Sequence, residues 1–166
     1  GNEITVEVND NDIKVIDKGA GVPHGKNKDT EEVLIEIYTS AHSSGKFDST
    51  NYKRVRCMHG IGSSTVCVCS KVFEVWTLRD GAEWHLAFKD GIPQSKTATR
   101  VRATKETGTA VYFEPDKSIF HLSEETPAFE KERIRNELRL TSYFIPNVTF
   151  IYKDGEGSQL ANELEG

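Results

Sequence analysis

The chain has 166 residues, of which 36% are hydrophobic and 28% charged, with a formal net charge of −5. That length suits one domain with a real core. The negative balance argues against a domain that holds nucleic acid by bulk electrostatics, and no apolar stretch approaches the roughly 20 residues of a membrane span. The N-terminal Gly-Asn-Glu leads straight into strand-like residues without a signal-peptide pattern. Cys57, Cys67 and Cys69 are odd in number and lack zinc-type spacing, which reads as reduced thiols in a cytoplasmic protein.

Ile4, Val6 and Val8 alternate with polar residues, Asn9-Asp10-Asn11-Asp12 marks a turn, and Ile13 and Val15 resume the alternation. This predicts a hairpin that holds Asp17 at a strand end. Residues 19–29 form a loop with four glycine or proline residues. Asp29 and Glu32 then make a capping box with Asp29 as N-cap. Val33, Leu34, Ile37, Tyr38 and Ala41 follow at helical spacing, to an end near His42. Residues 43–58 are polar, basic and short of apolar anchors, as expected of a long functional loop or lid.

His59-Gly60-Ile61-Gly62-Ser63-Ser64 comes next, and residues 65–70 are small and apolar, suiting a buried helix. Residues 72–78 read as a strand, Arg79-Asp80-Gly81-Ala82 as a turn and residues 84–88 as the returning strand, ended by Gly91-Ile92-Pro93. Residues 101–103 and 109–114 are further strands. Thr126-Pro127 predicts a helix start, with Phe129, Ile134, Leu138 and Thr141 on one face. Val148, Phe150 and Tyr152 predict a last strand before the Asp154-Gly155 turn. The simplest packing is α+β: a two-layer sandwich of a mixed, mostly antiparallel sheet with helices on one face, over residues 1–166 as a single domain.

Two glycine clusters carry the functional signal. A carboxylate such as Asp17 at a strand end can read an adenine amino group, and a glycine-rich turn opening a helix can hold phosphates through backbone N–H groups. Neither cluster is G-x-x-x-x-G-K-S/T or a helix-opening G-x-G-x-x-G.

In order along the chain, Asp17-Lys18-Gly19-Ala20-Gly21-Val22-Pro23 resembles D-x-G-x-G-I/V-P. His42-Ser43-Ser44-Gly45-Lys46-Phe47-Asp48 resembles H-A-G-G-K-F-D. Met58-His59-Gly60-Ile61-Gly62 resembles L-H-G-V-G, and residues 108–115 resemble G-T-x-V-x-F-x-P. Together these motifs resemble the ATPase region of the B-type subunits of type IIA DNA topoisomerases, the family of gyrase B and ParE, across nearly the whole chain. The family uses the GHKL, or Bergerat, ATP-binding fold shared with histidine kinases, MutL and heat-shock chaperones.

The resemblance implies a set of roles. Asp17 accepts the adenine amino group and, through a water, fixes the ring, and Thr109 supports that water and Asp17. Gly19 and Gly21 let the backbone approach the base, and Val22 and Pro23 line the adenine cleft or pack the loop. Lys46 reaches the phosphates from the lid, and Tyr52 reaches the sugar or phosphates. His59, Gly60, Ile61 and Gly62 wrap the β- and γ-phosphates. It also implies ATP and Mg²⁺ in the complete enzyme, ATP-driven closure of a homodimer, an A-type subunit or domain as partner, and DNA handled by other domains.

The chain departs from the family in several places. The family's catalytic glutamate and Mg²⁺-binding asparagine lie on a helix ahead of the first strand, which this sequence lacks, so no catalytic or metal residue is assigned and the chain alone is expected to be inactive. Ala20 stands where an arginine is usual, and Arg56-Cys57 replaces a glycine pair. Two other readings stay open at this stage. One is a nucleotide-binding module without a catalytic role. The other is a MutL-like ATPase of the same fold, which residues 42–48 disfavour.

Overall fold

A computed structural model describes residues 3–26, 28–29, 31–40 and 62–164. The predicted hairpin is present: β1 (Glu3–Val8) pairs antiparallel with β2 (Ile13–Asp17). After it come α1 (Val33–Thr39), α2 (Gly62–Val68), β3 (Ser70–Arg79), β4 (Ala82–Lys89), β5 (Ile92–Pro93), β6 (Thr99–Ala103), β7 (Gly108–Pro115), α3 (Lys131–Phe144), β8 (Thr149–Asp154) and β9 (Gly157–Leu160), then a 3-10 turn at Ala161–Glu163.

The described strands form one sheet in the order β5-β4-β3-β7-β2-β1-β8-β9, with β6 also pairing β4. Only the β1–β8 pairing is parallel among these described strands. Side chains on a strand alternate between faces, and directly paired residues share a face. Ile13, Phe113, Phe73 and Phe88 are therefore one row, and Val15, Val111, Val75 and Leu86 the next.

Both rows feed a continuous apolar layer. At one end Val6, Val8, Phe150 and Tyr152 pack with Phe129, Ile134 and Leu138, bringing in α3. At the other end Phe73, Val75, Leu86 and Phe88 pack with Leu34, Tyr38 and Cys67, bringing in α1 and α2. Phe113 belongs to both groups, so all three described helices cover the same face. Aromatic rings lock this layer: Phe73 lies 5.2 Å from Tyr38 and 5.8 Å from Phe88, and Phe113 lies 5.9 Å from Phe129. Burying each such ring contributes about 1.5–3 kcal/mol.

Several element boundaries differ from the sequence expectation. Glu32, not Asp29, caps α1, accepting the Leu34 N–H, and the helix ends at Thr39 with Ser40 as its C-cap. The short apolar helix runs over Gly62–Val68, because Ser70 already belongs to β3. Gly91-Ile92-Pro93 does not simply end β4, since Ile92 and Pro93 pair back onto it as β5. Helix α3 starts at Lys131, not at Thr126-Pro127. Phe129 is drawn out of the helix: its N–H donates to the Asp10 carbonyl and its ring packs on Phe113.

Candidate nucleotide site

Asp17 ends β2 opposite Ile4 on one side and Thr109 on the other. Thr109 in turn faces Thr77, and Thr77 faces Trp84. One row across four strands, β2, β7, β3 and β4, therefore presents Asp17, Thr109, Thr77 and Trp84 on the helix-covered face. The segment that follows Asp17 crosses this row.

Each step of the crossing is held by a specific bond. The Gly19 N–H donates to Asp17 Oδ1 at 2.8 Å, which occupies one carboxylate oxygen and fixes the side chain's rotation. The Val22 N–H donates to Thr109 Oγ1 at 3.1 Å, and the Thr77 hydroxyl donates to the Val22 carbonyl at 2.6 Å. Val22 thus behaves like one residue of an added strand, with hydroxyls replacing a backbone ladder. Arg79 Nη1 donates to the Gly21 carbonyl at 3.0 Å. Beyond Pro23, the His24 ring stacks on Trp84 with centroids 4.4 Å apart.

Two glycines are required by this closeness. Gly21 has φ of +82°, and a Cβ there would stand 2.5 Å from the Leu78 carbonyl oxygen. Gly108 has φ of +150°, and a Cβ there would fall onto the Asp17 carbonyl oxygen. The first keeps the loop against β3 and the second keeps β7 against Asp17.

The far end of the loop is set by Glu32, which is only 2% exposed. Its carboxylate accepts the N–H groups of Gly25 at 2.6 Å, Leu34 at 3.3 Å and Ala98 at 3.0 Å. The Val33 N–H donates back to the Gly25 carbonyl at 2.8 Å. A buried carboxylate is tolerated here because several donors replace its lost hydration.

Burial lowers the pKa of His24, and this outweighs the opposing pull of Glu32 and Asp80. Asp80 Oδ2 is 3.8 Å from His24 Nε2 but is itself largely in solvent. Neither His24 Nε2 nor Trp84 Nε1 has a hydrogen-bond partner among the described residues. A neutral imidazole stacked on indole fits these surroundings better than an ion pair. Cys67, fully buried in the core between α2 and the sheet, has its thiol pushed up to about 12 by burial.

The structure therefore brings together Asp17, Gly19, Gly21, Val22, Pro23 and Thr109 from the expected set. Gly62 opens α2. Lys46, Tyr52, His59, Gly60 and Ile61 lie outside the described residues. Sequence reasoning missed Thr77, Arg79, Trp84 and the long-range part of Glu32. A signal existed for Thr77, a hydroxyl that continues the Phe73, Val75 alternation on the core face of β3. Among the described residues no group of three or more His, Cys, Asp or Glu is placed to hold a metal ion, and no helix is long and apolar enough to cross a membrane.

No protein-family profile matches the chain. It is 35% identical over 155 residues to the B subunit of DNA topoisomerase 4 from Staphylococcus aureus strain Mu50, and equally so to that of strain MW2. Each match takes in 93% of this chain and 23% of the relative, so the chain spans under a quarter of the length of these proteins. Its fold superposes with a TM-score of 0.77 on the crystal structure of the 43K ATPase domain of Thermus thermophilus gyrase B in complex with an aminocoumarin. That match has 27% identity and covers 96% of this chain and 39% of the other. On this sequence identity and this superposition, the chain belongs to the GHKL ATPase-domain family of the type IIA DNA topoisomerase B-type subunits.

Proposed function

We propose that this chain binds ATP, with the adenine seated against Asp17 and the Val22-Pro23 segment. The observation that carries the reading is the state of Asp17. One carboxylate oxygen is taken by the Gly19 N–H, so the side chain is held in one orientation. Its second oxygen remains to accept an amino group, and the Thr109 hydroxyl, already accepting from Val22, keeps its own proton to donate to a water or to the base. An adenine edge supplies a donor beside an acceptor, whereas a guanine edge offers a carbonyl to the carboxylate and is repelled.

The phosphates are proposed to lie toward residues 59–62, with Lys46 and Tyr52 contributing from the segment between α1 and α2. Mg²⁺ is proposed to arrive with the phosphates, where it would neutralise their charge. The described residues supply no metal cluster of their own. The part played by these residues is to bind and orient the nucleotide. The carboxylate that polarises the attacking water is proposed to come from outside residues 3–164. On that basis the chain alone turns ATP over negligibly.

In a complete enzyme of the kind its relatives represent, the proposed role is to couple ATP binding to closure of a homodimer. That closure would drive DNA strand passage in the cytoplasm together with an A-type subunit or domain. The coupling would be a population shift, because a nucleotide favours whichever state gives it more contacts.

Calorimetric titration with a non-hydrolysable ATP analogue, with and without Mg²⁺, tests the reading. Saturable one-to-one binding is expected, and Asp17→Asn is expected to abolish most of it, because the amide would turn an N–H₂ toward the adenine donor. Absence of binding at millimolar analogue, or equal binding by Asp17→Asn, overturns the assignment. Turnover by the wild-type chain that Asp17→Asn abolishes would show that the catalytic group lies within it.

A further inference from the structure

We propose that Glu32 is the positioning residue of the base end, acting through Gly25 and never touching the nucleotide; this role rests on the ATP reading above. The segment Gly21–Gly25 leads from the Asp17 strand end toward α1, and it is anchored at two points. Near its start, Val22 is pegged to the sheet by Thr77 and Thr109. At its end, Gly25 is clasped on both sides of its peptide chain, its N–H by Glu32 and its carbonyl by the Val33 N–H. Pro23 lies between these anchors, followed by His24 with its ring stacked on Trp84, so where Pro23 sits depends on both.

Glu32 also does more than cap its helix. An N-cap needs one acceptor for one N–H of the first turn. Here the first oxygen serves Gly25 as well as Leu34, and the second reaches Ala98, in the connection between β5 and β6. Three separate stretches of chain therefore meet at one buried carboxylate: the base-end loop, the start of α1, and the segment beside β4. Both oxygens must be acceptors, so an amide of the same shape cannot replace it. One end of a glutamine would present N–H₂ to a backbone N–H.

The test compares the wild-type chain with Glu32→Gln and Glu32→Asp, using amide hydrogen exchange in the free protein and titration with a non-hydrolysable ATP analogue and with GTP. In Glu32→Gln, exchange at Gly25 and Ala98 is expected to rise, ATP-analogue affinity to fall about tenfold, in line with the loss of one charge-assisted hydrogen bond, and the preference for ATP over GTP to narrow. Glu32→Asp keeps the charge but retracts it by one methylene, and is expected to move the same readouts less; it carries the test if the glutamine variant does not fold. Tyr152→Phe, which removes the hydroxyl bonded to Asp154 at 2.8 Å in a distant strand, is the control for general destabilisation and is expected to leave the preference unchanged. Unaltered exchange at Gly25 and Ala98 overturns the clasp. Faster exchange with unaltered affinity and preference overturns the positioning role alone. A wild-type chain that binds no analogue overturns the ATP reading and this role with it.

Discussion

Thr77 offers the sharpest check on how the base-end loop is held. Its side chain is fully buried, and its hydroxyl donates to the Val22 carbonyl at 2.6 Å. Thr77→Val keeps the branched shape and removes the donor. The Val22 carbonyl is then left without that partner in a dry site, at a cost of about 1–3 kcal/mol. For a chain of this length each 1 kcal/mol shifts Tm by about 2–4 °C, so a fall of roughly 2–12 °C is expected. Thr77→Ser makes the complementary change. It keeps the donor and deletes one methyl, at about 0.5–1.5 kcal/mol. The two variants thus overlap in stability but differ in what they do to Val22. If the peg fixes the cleft, Thr77→Val weakens binding of a non-hydrolysable ATP analogue by about fivefold or more, which corresponds to about 1 kcal/mol or more, while Thr77→Ser stays near wild type. Thermal unfolding followed by calorimetric titration measures both quantities. Equal affinities for the two variants would refute the claim that the hydroxyl positions the loop.

Other consequences follow from the same geometry. Gly21→Ala forces a Cβ to 2.5 Å from the Leu78 carbonyl at φ of +82°, and chemical denaturation should show a loss of about 2–4 kcal/mol from strain and overpacking. Gly155→Ala, where a Cβ meets nothing within 4 Å, is the near-neutral comparison. His24 has its pKa lowered from 6.5 by burial, so the unfolded chain takes up a proton before the folded one does. Its stabilising contribution is complete above pH 6.5 and is lost as pH falls from there toward the folded-state value. His24→Phe keeps a ring against Trp84 without titrating, so the stability gap between variant and wild type, measured by denaturation from about pH 7.5 to 5, should move in favour of the variant as pH falls; a pH-independent gap would contradict a buried neutral histidine.

Much of the local structure around Asp17 in the candidate site was legible because it depends on local pattern. Alternation placed Asp17 at the end of a hairpin, and its partner Thr109 lies on a strand whose alternation was equally plain. The turn at Arg79-Asp80-Gly81 was visible too, because Asp80 and Gly81 both adopt positive φ, which glycine and aspartate accept most readily. What failed was any choice that tertiary contacts decide. Asp29 and Glu32 satisfy the capping pattern on paper, yet Gly25 and Ala98 recruit Glu32 as the cap itself. Thr126-Pro127 has a helix-start signature, but the helix waits until Lys131 because Phe129 is needed in the core. Strand β9 had no signal, since Gly157–Leu160 is an exposed edge without apolar alternation. The parallel β1–β8 pairing joins Ile4 to Phe150, at opposite ends of the chain, where local periodicity says nothing.

Asp17 is proposed to read an adenine amino group. A crystal structure of the chain with a non-hydrolysable ATP analogue tests it most directly. The adenine amino nitrogen is expected at hydrogen-bond distance, about 3 Å, from the Asp17 carboxylate oxygen not used by Gly19, with the base over Val22-Pro23. An analogue seated elsewhere, for instance in the apolar recess between Phe113, Phe120 and Phe129, or bound with its base turned away from Asp17, would contradict it.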